Sequence, residues 1–141
     1  MGQATPEDAG KSFAWACDVT DVAVLAKLLW FDPAARERAR AILASMPASI
    51  QAECPTPEDF YAFVIAADAL VYPPPVPETF SQFHAVELSA GRVAMRKGDA
   101  PRNVQEYQQT PEGWKYVVPT VGVERWPNNL NNELLTKLSK K

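Results

Sequence analysis

Apolar residues recur at helical spacing along the first half of the chain. From residue 5 to residue 71 they follow the three- and four-residue intervals that place side chains on one face of a helix. Three segments open with a capping residue followed by proline, at Thr5-Pro6, Asp32-Pro33 and Thr56-Pro57. Such a side chain can cap a helix, and proline suits the first helical position. The pattern predicts four amphipathic helices, with a short turn or half-helix around Ile50.

The second predicted helix has two candidate caps, Asp18 and Asp21, and Pro47 is predicted to stop the third. Aromatic side chains within or beside these periodic stripes are expected to be core. They are Trp15, Trp30, Phe31, Phe60, Phe63 and, further along the chain, Trp114.

A proline-rich stretch then breaks the helical pattern. Residues 72–77 read YPPPVP, which excludes a helix and predicts an extended, polyproline II segment. We interpret residues 72–79 as a stiff connector between two halves of one domain, in preference to a ligand for a proline-binding module.

Short alternating segments follow the connector and predict strands. His84 falls on the same face of the first strand as Val86 and Leu88, which predicts that its imidazole points inward. The last hairpin is predicted at residues 110–113, where Gly113 supplies a positive φ. The four predicted strands, joined as an antiparallel meander, are Phe80–Leu88, Arg92–Arg96, Asn103–Gln109 and Trp114–Val118.

Helices first and strands afterwards predict a single α+β domain over residues 1–141, with the helices packed on one face of the sheet. Its parts are a helical half (5–71), the connector (72–79), an antiparallel sheet (80–119) and a C-terminal segment (120–141). Within that last segment, residues 129–138 have the spacing of a C-terminal helix. No strand is expected before Phe80.

Composition narrows the classes of partner. The chain has 141 residues, a formal net charge of -3 and 47% hydrophobic residues, which is typical of a soluble globular domain and disfavours nucleic acid as a partner. No stretch approaches the roughly 20 apolar residues of a membrane span, so no membrane insertion is expected. Cys17 and Cys54 are expected to be free and buried rather than bridged. The start Met1-Gly2 could replace a removed leader, which leaves an extracytoplasmic location open.

Two motifs resemble a known superfamily. The closing hairpin contains Glu112-Gly113-Trp114-Lys115-Tyr116, and the chain opens with ATPED at residues 4–8, followed by FAWA at residues 13–16. Together with the order of elements, these resemble uncharacterised bacterial domains of the nuclear-transport-factor-2-like (cystatin-like, polyketide-cyclase-like) superfamily. The resemblance implies a cone-like curved antiparallel sheet and an apolar pocket between helices and sheet. The superfamily includes cyclases, isomerases and dehydratases as well as non-catalytic binding domains.

Enzymes of that superfamily use Asp, His or Tyr side chains inside the pocket. The resemblance therefore implies His84, the only histidine, and Asp68 as candidate catalytic residues, with His84 as a general base. A structural histidine and a solvated carboxylate are the interpretations that we favour. The candidate ligand-binding residues are Tyr72, Tyr107, Tyr116 and, in a loop expected near the last helix, Trp126.

Motifs for other chemistry are absent from the sequence. No metal-ligand spacing, phosphate-binding glycine loop or nucleophile elbow occurs, so no metal and no cofactor are expected. Three hypotheses remain. We prefer a non-catalytic binding or accessory domain for a small apolar ligand or a protein partner. The alternatives are a cyclase- or isomerase-type enzyme using His84 and Asp68, and a homodimer or protein-interaction module.

Overall fold

The computed structural model describes residues 3–69, 83–97, 104–125 and 127. These ranges form an α+β fold, as predicted, in which five helices precede most of the sheet. The helices are α1 (Pro6–Asp18), α2 (Val22–Lys27), α3 (Pro33–Ala44), α4 (Ala48–Glu53), α5 (Pro57–Ala69) and α6 (Thr120–Arg125). The strands are β1 (Leu29–Trp30), β2 (Phe83–Ser89), β3 (Arg92–Lys97), β4 (Val104–Thr110) and β5 (Gly113–Val117).

Local capping sets the starts of the helices. The Thr5 hydroxyl accepts the N–H three residues on at 3.0 Å, and the Thr56 hydroxyl does the same at 3.1 Å. Asp21 caps α2 in the same way at 3.1 Å, which decides between its two candidate caps. Asp32 precedes α3 without a side-chain capping bond, and its carboxylate pairs instead with Arg92 at 3.2 Å. A long-range ion pair has therefore taken the place of the predicted cap.

Helix α5 is the centre of the helical layer. Residues 60–67 are all buried, although the sequence predicted a single apolar face. The helix contacts α1, α2, α3 and β1, so neighbours surround it on several sides. A helix buried all round has no polar face, and its periodicity therefore carries little information about its orientation.

The sheet has the order β1-β5-β4-β3-β2. Strands β2 to β5 form the predicted antiparallel meander, whereas β1 adds a parallel strand beside β5. The Leu28 carbonyl accepts the Tyr116 N–H at 2.7 Å, and the Trp30 carbonyl accepts the Val118 N–H at 2.9 Å. The expectation of no strand before Phe80 is therefore wrong, and the sheet is mixed. A two-residue strand is too short to show alternation, so only its pairing with β5 defines it.

The turn at residues 110–113 has the predicted backbone. Gly113 adopts φ 111°, a conformation open to glycine and strained for other residues. The N-terminal segment packs against this turn, where the Gln3 carbonyl accepts the Trp114 N–H at 2.8 Å. The Gln3 side-chain amide donates to the Trp114 carbonyl at 3.0 Å, so the start of the chain is tied to the last hairpin.

Side chains fill the space where the helices meet the sheet. The larger core cluster lies among the helices and β1, and a smaller one contains Ala9, Met95 and Tyr107. Phe13 of α1 stacks on Tyr116 of β5 with ring centroids 4.5 Å apart. Trp15, expected in the core, is 40% exposed, which corrects that prediction.

Several predictions fall outside the described residues. The connector at residues 72–79 and the helix at residues 129–138 both do so.

Helix α6 was not predicted. The Tyr61 hydroxyl of α5 contacts it by donating to the Val123 carbonyl at 2.5 Å. Cys17 and Cys54 are both free and buried, as expected.

Candidate functional site

His84 lies on the outermost described strand. Strand β2 pairs with β3 at the edge of the sheet, and His84 is exposed there. Leu88, on the same predicted inward face, is 53% exposed. The prediction that this face points into the protein is therefore wrong. Helix α1 packs against β5 and β3. The alternation of residues along β2 defines the two faces of the strand, but it does not indicate whether a helix covers either face.

Asp68 belongs to the helical layer rather than to the sheet. It lies near the end of α5, a helix that contacts β1, and its charge acts on the Cys17 thiol. Strands β1 and β2 are the two edges of the sheet, four inter-strand steps apart. At about 4.8 Å per step these edges are separated by about 19 Å. The described contacts therefore place Asp68 near Cys17 and His84 on the edge strand β2.

Two of the candidate ligand-binding residues, Tyr107 and Tyr116, lie where the helices pack on the sheet. Tyr107 is fully buried, and its hydroxyl donates to the Gln105 side chain at 2.8 Å. Burial raises the pKa of Tyr107 above the usual tyrosine value, so the hydroxyl stays protonated. Tyr116 is half-buried and stacks on Phe13. Tyr72 and Trp126 lie outside the described residues.

A surface cleft of about 860 Å³ opens among helices α1, α2, α4 and α5. Its wall carries Trp15 and Val19 from the end of α1, which are 40% and 46% exposed. Cys54 and Phe63 line its inner part and are themselves buried. The cleft therefore combines an accessible indole with an apolar interior.

Three carboxylates also line this cleft, from Asp21, Glu53 and Asp59. Asp21 accepts the helix-capping bond at the start of α2 through one oxygen. Asp59 accepts a hydrogen bond from the Thr56 hydroxyl at 2.8 Å. Glu53 is exposed at the end of α4. Among the described lining residues there is no Lys, Arg or His, so the cleft is acidic.

The backbone between α1 and α2 is strained at the edge of the cleft. Thr20 has φ 51°, in the left-handed region that a β-branched residue rarely adopts. Its N–H donates to the Cys17 carbonyl at 3.2 Å, and the Asp21 N–H donates to the Ala16 carbonyl at 2.9 Å. These two bonds define a Schellman motif, whose left-handed position usually holds glycine. A threonine there costs about 1–2 kcal/mol, and such strain concentrates at functional sites.

The thiol in the cleft is not a strong nucleophile. Burial, assisted by the charges of Asp59 and Glu53, raises the pKa of Cys54 to about 11. Because the thiolate is the reactive form, a thiol with this pKa is inert near neutral pH. The protonated Cys54 thiol therefore favours a binding role for the cleft over covalent chemistry.

The sequence analysis missed Trp15 because it assigned both tryptophans of the helical half to the core. A signal was present in the helical geometry. At about 100° per residue, Trp15 lies about 200° from Phe13, on the side of α1 away from the buried stripe. Helical position, rather than residue type, would have placed this indole at the surface.

No protein-family model, curated protein or solved structure matches this chain. Within the described ranges, no group of three or more His, Cys, Asp or Glu side chains is arranged to hold a metal ion. The described helices also lack a segment long and apolar enough to cross a membrane.

Proposed function

We propose that this protein is a non-catalytic binding domain and that its small-molecule site is the cleft among α1, α2, α4 and α5. The observation that carries the proposal is the exposed Trp15 indole beside Val19 at the mouth of a cleft of about 860 Å³. Binding sites for small molecules typically enclose about 300–1,000 Å³ and are lined by apolar and aromatic side chains. The proposed ligand site therefore lies within the helical layer, whereas the superfamily resemblance implied a pocket between the helices and the sheet.

The chemistry of the cleft supports a binding role. Its thiol, Cys54, has a pKa raised to about 11. Of the candidate acid–base pair, His84 is exposed on the edge strand β2, whereas Asp68 lies on α5 near the buried Cys17. General acid–base catalysis needs groups within hydrogen-bond reach of one substrate. Membership of the nuclear-transport-factor-2-like superfamily is part of the same proposal, supported by helices that precede an antiparallel meander and by the turn at Gly113.

A fragment screen followed by NMR tests this function. We expect fragments to shift the indole N–H signal of Trp15, assigned from its loss in Trp15→Phe. Trp15→Ala should weaken binding at least about thirtyfold, since truncating an aromatic residue that anchors a ligand costs roughly 2 kcal/mol or more. Trp114→Phe, on the hairpin of the sheet, is the matched control and should bind as the wild type does.

Two results would refute the proposal. If no fragment shifts the NMR signal of a residue that lines the cleft, the cleft is not the binding site. Turnover of any substrate that disappears in His84→Ala would favour the enzyme hypothesis over a binding domain.

A homodimer through β2 is a second candidate. The exposed side chains of Ala85 and Leu88 lie on the outermost described strand, where edge-to-edge pairing with a second copy is chemically available. Light scattering across a concentration series should detect a dimer that Leu88→Lys abolishes. A monomer at every concentration would reject it.

A further inference from the structure

We infer that the ligand of the cleft is a small organic cation, an amine or quaternary ammonium carrying short apolar groups. The inference rests on the proposed binding function and adds the charge class of the ligand. It follows from three features of the cleft: its charge, its exposed indole and its size.

The charge of the lining selects a cation. Asp21, Glu53 and Asp59 contribute three negative charges, and the described lining residues contribute no positive side chain. The starts of α2 and α5 and the ends of α1 and α4 all border the cleft, so the partial charges of these helix ends largely cancel. The cleft therefore keeps roughly three negative charges, which attract a cation and repel an anion.

The carboxylates keep acceptor capacity for such a ligand. A carboxylate has about four lone-pair positions. Asp21 uses one in capping α2, and Asp59 uses one for the Thr56 hydroxyl. Glu53 lies exposed at the rim. Carboxylate oxygens from three helices can therefore accept hydrogen bonds from the N–H groups of an amine or contact the positive surface of a quaternary ammonium group.

The exposed indole gives the cation a second partner. Trp is the most favourable aromatic residue for cation–π contacts, which strengthen binding by roughly 3- to 30-fold depending on desolvation. Trp15 presents its side chain to the same cleft as the three carboxylates. Val19 and the buried Phe63 provide apolar surface for the alkyl groups. An indole and acidic groups around one cation form a familiar chemical arrangement for recognising ammonium compounds.

The dimensions favour a small molecule over a macromolecular partner. A volume of about 860 Å³ lies within the range of small-molecule sites. The cleft is also bordered by four helices rather than extended along one of them. We therefore commit to a free small cation as the occupant.

Three probes of nearly equal shape test the charge class. Choline carries a trimethylammonium group, 3,3-dimethylbutanol replaces it with a neutral tert-butyl group, and 3,3-dimethylbutanoate is an anion. We expect choline to bind about tenfold more tightly than the alcohol, and the anion to bind most weakly. Added NaCl should weaken choline binding and leave the alcohol unchanged. Binding is measured by NMR titration, with Trp15 assigned through Trp15→Phe.

Two substitutions locate the effect. Glu53→Gln should weaken choline binding about fivefold, from the loss of one nearby charge, without changing the affinity of the alcohol. Glu87→Gln, on the exposed strand β2, is the charge-matched control and should change neither affinity. Trp15→Leu should lower choline binding by roughly 3- to 30-fold while keeping the wall of the cleft apolar.

The outcomes separate the two proposals. Equal or tighter binding of the alcohol or the anion at Trp15 overturns the cation inference and leaves the binding function intact. Choline binding that leaves the Trp15 signal unmoved overturns the assignment to this cleft. If neither these probes nor the fragment screen perturb the cleft, the binding function fails and the cation inference fails with it.

Discussion

One hydroxyl group of α5 caps a buried backbone carbonyl of α6. The Tyr61 hydroxyl donates to the Val123 carbonyl at 2.5 Å, and both residues are fully buried. A carbonyl in the last turn of a helix lacks its usual N–H partner four residues on, and here that residue is Pro127, which has no N–H. The tyrosine therefore supplies a donor that Pro127 cannot.

Tyr61→Phe removes this donor and keeps the ring. The contacts of the ring with Phe31 and Phe60, at centroid distances of 5.5 and 5.2 Å, should persist. Leaving a buried carbonyl without its donor costs about 1–3 kcal/mol. For a domain of this size the melting temperature should fall by about 3–10 °C. Urea unfolding measures the free energy, and hydrogen exchange should show the largest loss of protection in α6.

Tyr107→Phe is the matched control. Tyr107 is also fully buried, but its hydroxyl bonds to the side chain of Gln105, which is half-buried and can turn toward water. Its loss should cost about 1 kcal/mol or less, because no backbone carbonyl is left stranded. Equal stability losses in the two variants, or unchanged protection of α6 in Tyr61→Phe, would refute the capping role of Tyr61.

Three other substitutions test local features of the fold. Thr20→Gly should stabilise the protein by up to about 1 kcal/mol in urea unfolding, because glycine removes the left-handed strain; a loss of stability would contradict this. Burial chiefly raises the pKa of Cys17 from 9.0 to about 12, so its contribution to stability is complete below pH 9 and declines toward pH 12 as the unfolded state ionises first. Cys17→Ala should reduce that alkaline slope by up to about 1.4 kcal/mol per pH unit, and an unchanged slope would argue against it. Gly113→Ala should destabilise by about 1–3 kcal/mol, since its Cβ would lie 2.7 Å from the Gln3 carbonyl oxygen. Gly91→Ala, whose Cβ would meet its neighbours at 3.5 Å or more, should lower the melting temperature less.

The cleft illustrates why site prediction was harder than fold prediction. The resemblance to a superfamily implied that His, Asp and Tyr side chains form the site. The structure places His84 at an exposed edge and Tyr107 in the core. The cleft instead joins residues from four helices, among them Trp15, Asp21 and Asp59. The sequence predicted Asp21 as a helix cap and Trp15 as a core residue, but nothing local indicated that they face one space.

The sequence by itself determined the features that act over a few residues. Thr5 and Thr56 start helices because their hydroxyls reach an N–H three residues away, and Gly113 permits a turn because it lacks a side chain. The tertiary structure decided the parallel strand at Leu29–Trp30 and the exposure of His84 and Leu88. These features depend on contacts between residues far apart in the chain. The periodicity of the sequence indicates that an element has an apolar face, but it does not indicate which other element covers that face.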